Sequence, residues 1–340
     1  MPHPPPTWVP LAVATRGGHV ESVHHGAVAV VDRDGRVLFS AGDPGALVFT
    51  RSTLKPLQAL PFVRDGGPAR FGYSREQVAL LCASHSGEPR HVAAVGEMLA
   101  RAGFDADALQ CGTHAPGFHE ARGDTPPPPP WSPLAHNCSG KHAGMLAACA
   151  MHGWPHAEYL AFDHPLQRAI RAAVAGFCEV PEDSLIAGID GCSAPNYAIP
   201  LSRLAQAFAR LAASGAAEGP FGAAPATLRD AMLAAPEMVS GQGRSDARLM
   251  AVGRGDWVAK IGAEGVQALG VASRGIGVAV KVADGSRRAL LPATVAALAQ
   301  AGLADTDQCQ ALESLVRPPV RNYRHTVTGS IEPALTLARA

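Results

Sequence analysis

Phe49-Thr50-Arg51-Ser52-Thr53-Leu54-Lys55-Pro56-Leu57 is the stretch around which the chain is organised. Pro56 has no N–H to give, so it fits a helix only in the first turn, where that donor has no intrahelical partner. A helix must therefore begin near Ser52. Residues three apart are neighbours on a helical turn, which puts Ser52 and Lys55 together at its mouth. A serine hydroxyl becomes a nucleophile when a base removes its proton, and a lysine of depressed pKa is such a base. The spacing alone is common, and an N-cap serine followed by a solvent-facing lysine is the competing reading.

Working outward, residues 8–50 read as β-structure. Apolar runs at 28–31 and 37–39 flank Asp32-Arg33-Asp34-Gly35, a hairpin signal. Short apolar runs return at 257–261, 266–272 and 277–282. Helical patterns fill the middle. Ser74-Arg75-Glu76-Gln77 reads as a capping box before 78–82, and Pro89 sits near the start of a run at 91–102. Further helices are expected at 143–152, at 166–177 capped by Asp163, and at 201–213 and 290–301. Polar loops are expected at 83–88, 214–226 and 240–246. Residues 111–135 read as an irregular excursion, with Pro126 to Pro130 in polyproline II. The fold class expected is α/β (α+β): one antiparallel sheet built from both ends of the chain, plus a mainly helical lobe. Residues 1–340 then form a single domain of two lobes, the sheet lobe near 8–65 and 250–340 and the helical lobe near 66–249.

The 340 residues are 47 % hydrophobic and 17 % charged, with 29 acidic and 29 basic side chains. Zero formal charge gives no electrostatic reason to expect nucleic acid or an anionic membrane as partner, and favours small-molecule chemistry. No apolar stretch approaches a membrane span, and Met1-Pro2-His3-Pro4-Pro5-Pro6 has neither the basic nor the apolar region of a signal peptide. Seven cysteines scattered singly do not form a disulfide framework. A cytoplasmic protein with reduced thiols is expected.

Lys260-Ile261-Gly262 lies on the first strand of the C-terminal set. In serine β-lactamases and penicillin-binding proteins, Ser-x-x-Lys at a helix start is paired with a Lys-Thr-Gly strand. Both parts occur here in the same order, with Ile261 where threonine stands in that pattern. Cys138 and Lys141 share a Cys-x-x-Lys spacing, with Cys192 distant in sequence. A structural zinc site normally has four Cys or His ligands, and His136 or His142 is a commoner ligand than lysine. On chemistry alone, buried inert cysteines are the preferred reading. Asp190 suits a lysine or a substrate amine. No P-loop, Gly-x-Gly-x-x-Gly, His-Glu-x-x-His or Gly-x-Ser-x-Gly is present.

Taken in order, Arg51-Ser52-Thr53-Leu54-Lys55-Pro56, Cys82-Ala83-Ser84-His85-Ser86-Gly87-Glu88, His136-Asn137-Cys138-Ser139-Gly140-Lys141-His142, Asp190-Gly191-Cys192-Ser193 and Lys260-Ile261-Gly262 resemble the Rhizobium etli-type L-asparaginases (asparaginase II family) over nearly the whole chain. The resemblance implies a serine β-lactamase/glutaminase-like fold, a homodimer, and hydrolysis of L-asparagine to L-aspartate and ammonia. It implies two Ser-Lys tandems, Ser52–Lys55 and Ser84–Lys260, in one pocket. Cys138, Lys141 and Cys192 would hold one zinc ion per subunit, which reverses the chemical preference for inert cysteines. Asp190, Arg51 and His85, within the matching segments, are the candidate substrate-binding residues. Ser52 would attack the side-chain amide with Lys55 as base. Alternatives are a glutaminase, a penicillin-recognising serine hydrolase and a non-catalytic zinc-binding protein.

Overall fold

The structure is a computed structural model that describes residues 5–215 and 219–340. The reading of residues 1–4 as leaderless, and of 216–218 as part of the loop 214–226, lies outside the described residues. The chain forms two compact units. One comprises Met1–Thr53, Ala198–Ala213 and Val252–Ala340, the other Leu54–Tyr197 and Ser214–Ala251.

The strands in chain order are β1 Val9–Arg16, β2 His19–Asp32, β3 Val37–Ala41, β4 Leu47–Phe49, β5 Ile186–Ile189, β6 Pro195–Pro200, β7 Trp257–Gly262, β8 Val266–Val271, β9 Ile276–Val282, β10 Pro319–Arg321, β11 Val327–Pro333 and β12 Ala338–Arg339. In the first unit a nine-stranded sheet runs β10-β11-β1-β2-β9-β8-β7, with β3 also on β2 and β12 on β3. It is antiparallel and joins the two ends of the chain, as expected. Val28 faces Val280 and Val30 faces Val278 where N-terminal β2 meets C-terminal β9.

The hairpin β2–β3 turns at Gly35, at φ +88°. There Asp32 Oδ1 accepts the N–H groups of Asp34 and Arg36. Ala27 to Val31 are all fully buried, which a strand shows only when both of its faces are covered. The covers are the helices Leu201–Ala213 and Arg287–Gln300, both packed on the sheet. Gly277 is required for the first of these, because a Cβ there would run into the Ala205 carbonyl. This contact assigns Leu201–Ala213 to the sheet unit, whereas its position in the sequence suggested the helical lobe. The short polar strands β10 to β12 carry no alternation strong enough to be read from sequence.

The second unit is organised around the helix Lys55–Arg64, whose residues Lys55 to Val63 are all buried. A helix buried on every side is a central one, and Pro165–Cys178, Ala224–Ala234 and Ser139–His152 pack around it. Arg75–Leu81 carries the expected capping box of Ser74 and Gln77. Two local expectations are corrected. His164, not Asp163, caps Pro165–Cys178, its Nδ1 accepting the Leu166 N–H at 3.2 Å. The helix Ala224–Ala234 begins inside the expected loop 214–226, with Pro225 in its first turn. The peptide between Pro129 and Pro130 is cis. Among the described residues no helix is long and apolar enough to cross a membrane.

Candidate active site

Ser52 lies in a short 3₁₀ turn, Arg51–Leu54, that leads directly into Lys55–Arg64 with Pro56 in the first helical turn. The Thr50 carbonyl shapes this entry. It accepts the Thr53 N–H at 3.2 Å and the Thr53 hydroxyl at 2.6 Å. Arg51 adopts a left-handed φ of +49°, a conformation that costs a non-glycine residue about 1–3 kcal/mol and clusters at functional sites. Its guanidinium lies 3.9 Å from Glu264.

In the same unit Lys260 is fully buried on β7, and its Nζ donates to the Ile261 carbonyl at 2.8 Å. Gly262 has a steric reason for its place in Lys-x-Gly. A Cβ there would sit 3.0 Å from the Thr50 carbonyl and 3.4 Å from the Ser52 nitrogen. The end of β7 thus lies against the turn that carries Ser52.

In the second unit Lys55 is 1 % exposed. Its Nζ donates to the Ala83 carbonyl at 2.5 Å and to Ser84 Oγ at 2.9 Å. The Ser84 N–H is held by the Val239 carbonyl at 2.8 Å. The structure therefore brings the lysine of one expected tandem onto the serine of the other.

His85, the next residue, is buried. Its Nδ1 accepts the Gly87 N–H at 3.2 Å, so Nε2 carries the proton and donates to Ser139 Oγ at 2.9 Å. Its ring stacks on His91 with 4.9 Å between centroids. Burial, and then the neighbouring His91, hold the His85 pKa well below the ordinary imidazole value. Both ring nitrogens are engaged with protein, which makes His85 a brace for the loop.

Also in this unit, Lys141 is 4 % exposed and donates to Cys192 Sγ at 3.0 Å. Lys141 stands in the first turn of Ser139–His152. Cys192 is presented by a tight turn in which the Ser193 N–H bonds the Asp190 carbonyl and Ser193 takes φ +65°. Asp190 Oδ1 accepts the Gly191 N–H at 2.8 Å.

The Cys138 side chain, whose thiol donates to Asn137 Oδ1 at 3.1 Å, neighbours Cys192 and lowers the Cys192 pKa strongly. Burial opposes this shift and the Lys141 ammonium adds to it. The same contact, with burial, pushes Cys138 up. For Lys141, burial favours the neutral amine, but the Cys192 and Cys138 sulfurs outweigh it and raise its pKa. The cluster is a thiol beside an ammonium–thiolate pair.

His142 completes this region. Its Nδ1 is 2.7 Å from the Tyr159 hydroxyl, which itself accepts the Gln110 N–H. Nε2 is buried with no hydrogen-bond partner. Burial lowers the His142 pKa to about 4, with Cys192 opposing.

The Cys138 and Cys192 sulfurs, with the Lys141 amine once it has lost its proton, are donors that suit a borderline-soft ion such as zinc. Among the described residues no group of three or more His, Cys, Asp or Glu gathers to hold a metal, so Lys141 is needed to complete the set. Tyr159 had no signal in the sequence, whereas His142 stood beside the motif. A cavity of about 820 Å³ lies elsewhere in this unit, lined by Glu76, Arg90, Glu97, Glu237 and Arg248 among others, and none of the candidate residues lines it.

Comparison with curated proteins finds no match. A family profile described as L-asparaginase II matches residues 12–333 of the 340, a span that holds every candidate residue named above. With a buried Lys–Ser pair, a Lys-x-Gly strand packed on a serine-bearing helix entry and a thiol–lysine cluster inside that span, the chain belongs to the L-asparaginase II family.

Proposed function

We propose that the protein is an L-asparagine amidohydrolase that forms L-aspartate and ammonia through an acyl-enzyme. The observation that carries this reading is the buried Lys55 Nζ–Ser84 Oγ contact at 2.9 Å, within a chain of asparaginase family. Ser52 keeps the nucleophile's role given by its spacing to Lys55. Neutral Lys55 takes a serine proton, the alkoxide attacks the side-chain amide carbon, and the C–N bond breaks as the leaving nitrogen takes that proton from Lys55. A water then gives its proton to the same amine and attacks the ester carbon of the β-aspartyl intermediate, and the bond from that carbon to the serine oxygen breaks as the oxygen takes the proton back from Lys55. Ser84, bonded to Lys55, relays protons or orients the substrate. Lys260 is the second amine of the tandem pair.

Cys138, Lys141 and Cys192 are the residues to hold zinc, one ion per subunit. When bound, the ion supplies a positive anchor for the α-amino or α-carboxylate end of the substrate. Asp190 and Arg51 are the charged groups for those same ends. The family resemblance supports a homodimer, and the free cysteines a reducing, cytoplasmic setting.

The test is ammonia release by purified protein from L-asparagine and L-glutamine, side by side, with and without a chelator. One methylene separates the two substrates and is worth only ~1–3 kcal/mol of discrimination, so the paired assay decides the preference. Release from asparagine is expected in wild type. Ser52→Ala should abolish turnover and leave the fold intact, and a mutant retaining most activity would overturn the nucleophile assignment.

A further inference from the structure

The loop that carries Ser84 is fastened to residues 239–242 at two points. At one end the Ser84 N–H donates to the Val239 carbonyl at 2.8 Å. At the other stands Glu88, whose side chain is 11 % exposed. Its Oε1 accepts the Ser86 hydroxyl at 2.7 Å and the Gln242 N–H at 3.0 Å, while Oε2 meets Arg90 at 2.7 Å. Arg90 is held in turn by Glu237 at 2.7 Å.

Gly241 is part of the same fastening. It sits at φ +122°, and a Cβ there would collide with Ser86 and lie 2.9 Å from Glu88 Oε1. The glycine leaves room for the two segments to close on each other. Burial alone would raise the Glu88 pKa, but Ser86, Gln242 and Arg90 outweigh it and lower it. The carboxylate is ionised and fully engaged. His91, whose Nδ1 accepts the Glu88 N–H at 3.1 Å, holds the backbone of the same residue.

We infer that Glu88 is the positioning residue for Ser84, fixing the serine against Lys55 by tying the loop Ala83–Glu88 to Gly241 and Gln242 through Oε1. The Ser84 N–H has one backbone tie of its own, and a single residue, His85, separates it from Ser86. The loop backbone is also held at His85 by the Asn137 carbonyl and at Ser86 by the Phe118 N–H, so loss of the Glu88 tie loosens the Ser86–Glu88 end, and Ser84 Oγ drifts from Lys55. Misplacement by about 1 Å of a reacting group can cost about 10²-fold in rate. The role of Ser84 in turnover rests on the asparaginase reading above, while the fastening itself does not.

The experiment pairs ammonia release with hydrogen exchange of the Ser84 amide by mass spectrometry, in Glu88→Ala, Glu88→Gln and Ser86→Ala. Glu88→Gln keeps an oxygen for Ser86 and Gln242, whereas Glu88→Ala removes it. Glu88→Ala should lower kcat by at least about 30-fold with KM within about threefold. Exchange in 83–88 should rise at least tenfold and stay unchanged in Pro165–Cys178. Glu88→Gln should stay within about fivefold of wild type in both readouts. Should Glu88→Ala fail to fold, Ser86→Ala decides, with an expected loss of about three- to tenfold in kcat and faster exchange confined to the loop. Wild-type kcat in Glu88→Ala, a Glu88→Gln protein no better than Glu88→Ala, or exchange raised evenly through the unit would overturn the inference. A wild-type protein that releases no ammonia would sink the asparaginase reading alone, and the exchange arm would still judge the fastening.

Discussion

Two buried lysines in the helical unit differ in what they touch. Lys55 meets a carbonyl and a serine hydroxyl, both neutral. Lys141 meets the Cys192 sulfur, with Cys138 beside it, and its pKa is raised by those sulfurs against burial. A lysine next to a thiolate is held as a cation, because each charge replaces the hydration that the other has lost. Burial is nearly equal at 1 % and 4 %, so the partner and not the depth separates a candidate base from a candidate anchor.

The sharpest way to break this comparison is to remove each amine. Lys55→Met should lower kcat by about 10²–10⁴-fold with bound zinc unchanged. Lys141→Met should lose zinc and lower activity less. Metal analysis beside steady-state kinetics reads both, and a Lys141→Met protein as inactive as Lys55→Met with full zinc would undo the distinction.

Next in size is thiol reactivity in metal-free protein. Cys192, held as thiolate, should alkylate at a rate that stays flat from about pH 8 to about pH 6. Burial pushes Cys111 up to about 11 and Cys149 up to about 12, so both should stay inert over that range. In Lys141→Met the Cys192 rate should become pH-dependent.

A smaller effect concerns the brace behind Ser84. Burial lowers the pKa of both His85 and His91 in the folded protein. Between those values and the ordinary ~6.5, the unfolded chain binds more protons than the folded one. Stability should therefore be full above about pH 6.5 and fall as the pH drops below it. Thermal melts from about pH 7 to about pH 4.5 measure this loss, and His85→Gln, which preserves one acceptor and one donor, should flatten the profile. An unchanged slope in that variant would remove His85 from the account.

The smallest expected change is in the sheet unit, beside the turn that carries Ser52. Gly262→Ala adds a carbon 3.0 Å from the Thr50 carbonyl. It should lower kcat/KM by about tenfold while shifting stability by only about 1 kcal/mol, as kinetics and a denaturation midpoint would report.

The sequence by itself determined the sheet-forming ends, because β2, β7, β8 and β9 are apolar runs of strand length bounded by turn residues. It determined the helix entry at Ser52, because a proline in position 56 leaves only one place for the first turn. It also determined the motif segments, since chemistry-bearing residues stand in short contiguous blocks. The Lys55–Ser84 contact was decided only by the tertiary structure, since nothing local links residues 29 positions apart. The same holds for the packing of Leu201–Ala213 on the sheet, which depends on a glycine some seventy residues away. It holds also for the hydroxyl of Tyr159 on His142 and for the carboxylate of Glu88 at Gly241 and Gln242. Periodicity and turn chemistry are properties of neighbours in the chain, whereas a hydrogen bond in a buried site is a property of neighbours in space.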